Sequence, residues 1–190
     1  MEQKSIPGKP GRDQLMVTIY DQTAVVRVVG RGSFKMSTSL KQFGVAAVES
    51  LCRHLVLDMD ECIGMDSTFM GVLAGLAVRL KQKTGGDIVL INLAPRTNGL
   101  LCTLGLDRII RAHLAGAEPP EFADLLNRAA PTELPVGHQS RDTTARTILE
   151  AHESLVELTP ENYPKFKDVL TYLREDLAQD EGLNDAPSAG

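Results

Sequence analysis

A chain of 190 residues, 43% hydrophobic and 24% charged, has the composition of a globular protein with a core large enough to fold on its own. Its net charge of −5 excludes the basic footprint of a general nucleic-acid binder, and an aromatic content of 4% with no Trp excludes a surface built to stack bases. Cys52, Cys62 and Cys102 are odd in number and lack CxxC spacing, which fits reduced, mostly buried thiols in a cytoplasmic protein.

Residues 1–14, rich in Pro, Gly and charge, read as a flexible arm. They hold no apolar core of roughly 7–15 residues, so no signal peptide is expected, and no stretch approaches the roughly 18 apolar residues of a membrane span. Residues 15–20 (LMVTIY) alternate and residues 24–30 (AVVRVVG) form a second strand after an Asp-Gln-Thr turn, a hairpin pattern. Leu40, Phe43, Ala47 and Leu51 then recur at helical spacing, with Ser37 or Ser39 as the expected cap. Residues 54–59 (HLVLDM) form a continuously apolar strand, as in a sheet buried on both faces. A helix over 69–80 ends in KQKTGG, basic residues and glycines. Residues 87–94 (DIVLINLA) are another buried strand, Pro95 opens a short helix that Gly105 closes, and residues 108–113 (RIIRAH) read as a last strand.

The predicted order β-β-α-β-α-β-α-β gives an α/β fold, an open mixed β-sheet covered by helices, over residues 15–130. One more short helix falls within residues 116–130. Residues 131–142 read as a linker, 143–180 as an extra C-terminal helical pair, and 181–190 as a disordered tail. In that pair, Tyr163, Phe166, Leu170, Leu173 and Leu177 form an apolar stripe that must bury on the domain, on the neighbouring helix or on a second copy, so a homodimer through these helices is one expectation.

The triad Asp66-Ser67-Thr68 precedes the long helix. Asp66 is placed to cap it, with Ser67 and Thr68 in the first turn. Phe69, Val72, Leu73, Leu76 and Leu80 share a face suited to the sheet. Gly71, Ala74, Gly75 and Ala77 are small, and each Gly costs about 1 kcal/mol of helix propensity relative to Ala, which close packing or a partner surface must offset. A hydroxyl at this position lies at the functional edge of an α/β sheet. A phosphate there adds about −1.5 to −2 charges beside the Asp66 carboxylate and at free backbone N–H groups.

Met65-Asp66-Ser67-Thr68-Phe69-Met70-Gly71, followed by a basic helix end, Gly85-Gly86, IVLINLAP and LGLDRII, resembles the STAS domain, most closely the anti-sigma factor antagonists, whose motif is apolar-Asp-Ser-[Ser/Thr]-x-x-Gly. The resemblance covers roughly residues 15–126. It implies a non-enzymatic regulatory protein without a cofactor. Ser67, with Thr68 as the lesser candidate, would be phosphorylated by an anti-sigma factor that is itself a serine kinase, and a phosphatase would reset it. The partner face would comprise Met65, Asp66, Ser67, Thr68, Phe69 and Gly71. The family often carries Gly where Phe69 stands, so this ring is expected to narrow a kinase's approach.

Other patterns are weaker. Asp58 and Asp60 end a strand as a receiver phosphoacceptor does, without the accompanying acidic pair or the Lys before Pro95. Residues 30–35 (GRGSFK) mimic half a dinucleotide fingerprint but lack its third glycine, and read as a flexible loop beside Ser67 and at most a weak nucleotide site. His54, His113, His138 and His152 lie on unlike elements with no metal-ligand spacing. A STAS scaffold or sensor subunit of a multiprotein signalling complex is the alternative to the phospho-switch.

Overall fold

Alternation in residues 14–28 sends every second side chain to one side, and this decides the first layer of the molecule. In the computed structural model, which describes residues 12–128, 130–137 and 139–184, β1 (Gln14–Tyr20) and β2 (Thr23–Gly32) form an antiparallel hairpin in which Tyr20 faces Thr23. Its turn is tight enough to hold Asp21 at φ 50°. β2 then pairs in parallel with β3 (His54–Asp58), β3 with β5 (Asp87–Leu93), and β5 with β6 (Ile110–Leu114). The strand order is β6-β5-β3-β2-β1-β7, with β4 (Cys62–Met65) on the far end of β2. The fold is therefore an open, mixed α/β sheet with helical cover, as the segment order predicts.

The inner strands are continuously apolar because both faces are covered. Leu55, Leu57, Ile88 and Leu90 enter the main core beneath α1 (Phe34–Glu49) and α2 (Ser67–Thr84). Val25, Val56, Val89 and Ile91 form a smaller cluster with Phe122 of α4 (Pro120–Arg128) on the other face. α2 stops where Gly85 adopts φ 69°, a left-handed conformation that costs glycine little. α3 (Pro95–Thr103) opens on its proline and is followed by a 3₁₀ turn before β6.

The segment expected to be a linker contributes β7 (Thr132–Leu134), which pairs antiparallel with the outer edge of β1 and covers backbone groups that a bare edge would expose. α5 (Arg141–Leu158) begins at a Ser140 cap and packs lengthwise on α2, while α6 (Tyr163–Asn184) folds back on α5. The α6 stripe is used within the chain: Leu173 and Leu177 close on Ala145, and Phe166 packs toward the main core. Its first residue, Tyr163, stays exposed. Residues 1–11 of the expected arm and 185–190 of the expected tail lie outside the described residues, as does His138.

Two boundaries differ for tertiary reasons. β4 forms because its backbone adds to the end of β2 past an irregularity at Gly30/Arg31, so the stretch before Asp66 is a strand in its own right. α1 starts at Phe34, before the serines expected to cap it, and Ser37 and Ser39 are buried inside the helix. Ser33 stands at its N-cap position without a side-chain bond; a carboxylate from another element does the capping. Residues 30–35 are accordingly the end of a strand and the first turn of a helix, not a loop.

Candidate functional site

That carboxylate is Asp66. Its Oδ1 accepts the Phe69 N–H at 2.9 Å, capping α2, and its Oδ2 accepts the Phe34 N–H at 2.8 Å, capping α1. The Asp66 N–H donates to the Gly32 carbonyl at 2.9 Å, tying the same residue to the end of β2. One half-buried side chain thus fixes two helix starts and a strand end, and each helix dipole favours its negative charge. Ser67 is the first residue of α2, held in place by this arrangement.

The Ser67 hydroxyl does not face open solvent. It is half-buried, and its Oγ lies 3.0 Å from Nε2 of His152 on α5. The tautomer follows from the other ring nitrogen. His152 Nδ1 lies 2.8 Å from the Ile148 carbonyl oxygen, which can only accept, so Nδ1 carries the proton. A neutral ring then offers a lone pair at Nε2, and Ser67 donates its hydroxyl proton into it. Burial pushes the His152 pKa below the ordinary histidine value; the Ile148 carbonyl and the Asp66 carboxylate oppose this only in part. Phe166 packs against the ring in a tilted arrangement, with centroids 4.8 Å apart and planes at 57°.

Next to this contact, α5 crosses α2 at backbone distance. A Cβ on Gly71 would stand 2.2 Å from the Ala151 carbonyl oxygen, and one on Gly75 would stand 3.1 Å from Ser154 Oγ. The small residues of α2 are therefore the floor on which α5 sits. Thr38 of α1 donates to Thr147 of α5 at 3.1 Å, and Lys41 pairs with Glu150 at the rim. At the far end Asn162, fully buried, donates to the Leu104 and Leu155 carbonyls at 3.0 and 2.9 Å and anchors the α5–α6 corner.

Of the residues expected on the partner face, Asp66 and Ser67 are half-buried at the sheet edge, while Met65, Thr68, Phe69 and Gly71 are buried. Phe69 does not stand in front of Ser67: its ring is 0% exposed and packs under Gly32, where an added Cβ would come within 3.1 Å of it. Two exposed apolar residues at the same edge were not singled out by sequence, Phe34 beside the Asp66 carboxylate and Ile63, 80% exposed on β4. Sequence alone presents His152 as one of four histidines on unlike elements. The available signal was its place between Ile148 and Leu155 on one face of a helix, where a polar ring needs a partner.

The remaining patterns are accounted for locally. Asp58 is buried and accepts from Arg27 Nε at 3.0 Å and Asn92 Nδ2 at 2.8 Å, an ion pair and a hydrogen bond that together tie β2, β3 and β5. His54 and Arg111 both hold Asp87 at 2.7 Å. Among the described residues no three His, Cys, Asp or Glu side chains gather as a metal site would require, and no helix is long and apolar enough to cross a membrane. Beside α1 a cleft of about 510 Å³ is lined by Arg12, Phe34, Lys35, Thr38 and Gln139.

Comparison with known proteins agrees with this architecture. The anti-sigma factor antagonist SpoIIAA in its unphosphorylated form is 17% identical over 61% of this chain and 98% of its own, with a TM-score of 0.50. An anti-sigma factor antagonist from Mycobacterium paratuberculosis is 23% identical over 60% of this chain and 93% of its own, at a TM-score of 0.47. The Bacillus cell fate determinant SpoIIAA in its phosphorylated form is 17% identical over 60% and 99%, again at 0.47. A family model described as Mlab, STAS domain matches residues 15–112, just over half of the chain, and stops short of β7, α5 and α6. On that match, which spans β1 to β5, most of β6 and the Asp66–Gly71 helix start, the chain belongs to the STAS domain family.

Proposed function

We propose that this chain is a protein-binding regulator of the anti-sigma factor antagonist kind, in which Ser67 is the residue whose phosphorylation ends partner binding. One observation carries the reading: Ser67 begins α2, directly after a doubly engaged Asp66, at an edge where Phe34 and Ile63 offer apolar contact. Here a neutral hydroxyl gives way on modification to about two negative charges beside an existing carboxylate. A complementary protein surface would be repelled, while the fold, anchored elsewhere, would stand. The partner in this reading is an anti-sigma factor with serine-kinase activity, and a phosphatase restores the hydroxyl. The family membership and the SpoIIAA likeness support the class of function.

The test is phosphosite mapping by mass spectrometry after incubation with ATP and a serine kinase encoded beside this chain. Labelling at Ser67 that disappears in Ser67→Ala is expected, together with capture of the kinase by wild-type protein and not by Ser67→Asp. Full labelling of Ser67→Ala would end the assignment. Ile63→Asp is expected to weaken capture without changing the fold, because the side chain is exposed.

A further inference from the structure

The family match ends at residue 112, yet the helix that seals the Ser67 edge, α5, lies beyond it. α5 sits on the small-residue side of α2, the side Ser67 shares. Gly71 and Gly75 are its floor, Ala151 and Ser154 lie on that floor, and His152 stops the serine hydroxyl. We propose that α5 is a built-in occupant of the glycine-floored side of α2, beside the Phe34 and Ile63 edge at which the partner docks, and that a negative charge on Ser67 expels it. The proposal rests on Ser67 being the modified residue, and it adds that the charge which repels the partner also moves a helix of the chain itself.

Geometry makes the closed arrangement and the modified serine exclusive. With Oγ 3.0 Å from Nε2, no phosphoryl group fits between them. Its oxygens would meet the Nε2 lone pair, since the ring proton is committed to the Ile148 carbonyl and burial disfavours a second one, and the Asp66 carboxylate stands on the adjacent residue. α5 is also built to yield from one end. Around His152 its contacts to α1 and α2 are small or polar: Thr147 to Thr38, Glu150 to Lys41, Ala151 over Gly71. Towards its C-terminus Leu155 enters the main core and Asn162 pins the corner to the Leu104 carbonyl. The helix therefore swings out from Ser140, taking with it the α6 residues Leu173 and Leu177 that close on Ala145, while the Leu155–Asn162 end holds. The surface uncovered is a glycine-floored groove, suited to a helix that presents small residues one turn apart, as Ala151 and Ser154 do.

Hydrogen exchange followed by mass spectrometry on the full chain tests this without a kinase. In Ser67→Asp, amides of residues 141–154 are expected to exchange on the order of tenfold or more faster than in wild type, with β3 and β5 unchanged. In Ser67→Ala they should remain protected. Equal or greater protection of α5 in Ser67→Asp overturns the proposal. Should Ser67→Asp fail to fold, the charge is added afterwards: Ser67→Cys is folded in a Cys102→Ser background and capped with iodoacetate, with iodoacetamide as the neutral control. Loss of α5 protection on carboxymethylation supports the proposal, and a carboxymethylated chain with α5 still protected overturns it. A chain labelled by kinase at Ser67 with α5 unmoved would keep the phospho-switch and lose the built-in occupant. A chain that releases α5 but is never labelled at Ser67 would do the reverse.

Discussion

α2 is gripped from two sides, and the two grips are made of different materials. Inward, Phe69, Leu73 and Leu80 enter the main core at 0–1% exposure, where each side chain is enclosed by branched aliphatics from the strands. Outward, α2 shows α5 two glycines and one hydroxyl, and α5 answers with Ala151, Ser154 and His152. The first grip rests on apolar area and has no substitute in water. The second removes little apolar side-chain surface at the glycines and depends on close backbone approach and on one hydrogen bond. The difference teaches that the helix belongs to the STAS core through its large residues and to the C-terminal layer through its small ones. Damage to one side should be global and damage to the other local.

Leu73→Ala is the strongest test of the inward grip. Truncating a fully enclosed Leu costs about 2–5 kcal/mol, so urea denaturation should show the whole chain weakened, with α5 and the sheet losing protection together. Gly71→Ala comes next and attacks the outward grip. The new methyl would fall 2.2 Å from a backbone carbonyl, which cannot rotate away, and overpacking of this kind costs about 1–3 kcal/mol. Helix propensity returns roughly 1 kcal/mol. The expected signature is loss of protection in α5 with β3 and β5 still protected; a uniform loss across the sheet would show that α5 is an integral part of the core.

Asp66→Asn probes the joint between the grips. The carboxylate now accepts from two N–H groups, one per oxygen, and an amide can accept through only one. Either Phe34 or Phe69 would then face an NH₂ group, costing about 1–2 kcal/mol, typical of a lost helix cap. Faster exchange of the first-turn amides of α1 or α2 would confirm which helix is released; no change at either would mean that water replaces the carboxylate without loss.

How much of this was legible in sequence follows the same division. The inward grip was readable because periodicity reports it: Phe69, Leu73 and Leu80 repeat at helical spacing, and the strands are apolar where both faces are covered. The Asp66-Ser67 helix start was readable because a cap is a local event. The outward grip was not. A glycine floor signals that something approaches closely but does not say what, and a second copy, a partner or a later helix fit equally well. The Asp66 bond to Phe34 spans 32 residues and the Ser67 bond to His152 spans 85, and no local pattern marks either. β7 was missed because three residues supply too little alternation to distinguish an edge strand from a linker.

Acidification is a gentler way to loosen the outward grip. Burial holds the His152 pKa below the unfolded value of 6.5, so below that pH the unfolded chain binds the proton that the folded one resists. Stability from this group is whole above pH 6.5 and is lost as pH falls through the folded pKa. Asp87 is pushed upward by burial, but its hydrogen bonds to His54 and Arg111 leave it below its ordinary value of 3.8, so its own contribution fades only in stronger acid. Between about pH 7.5 and 5.5, melting temperatures should therefore fall less in His152→Phe than in wild type. Equal slopes would mean that the ring gives up its place as easily protonated as neutral.

Gly75→Ala should do almost nothing, and that is its use. The added methyl would meet only Ser154 Oγ, at 3.1 Å, the end of a short side chain that now bonds back to the Glu150 carbonyl at 2.9 Å. Rotation relieves the contact but gives up that hydrogen bond, a loss of about 1 kcal/mol, and the helix gains about 1 kcal/mol of propensity from replacing glycine. The two terms nearly cancel, so a melting temperature within a degree or two of wild type is expected, against a clear fall for Gly71→Ala one turn earlier. If the two substitutions were equally damaging, α5 would be seated along its whole length, and the picture of a helix free to swing from its Ser140 end would have to yield to one clamped at both glycines.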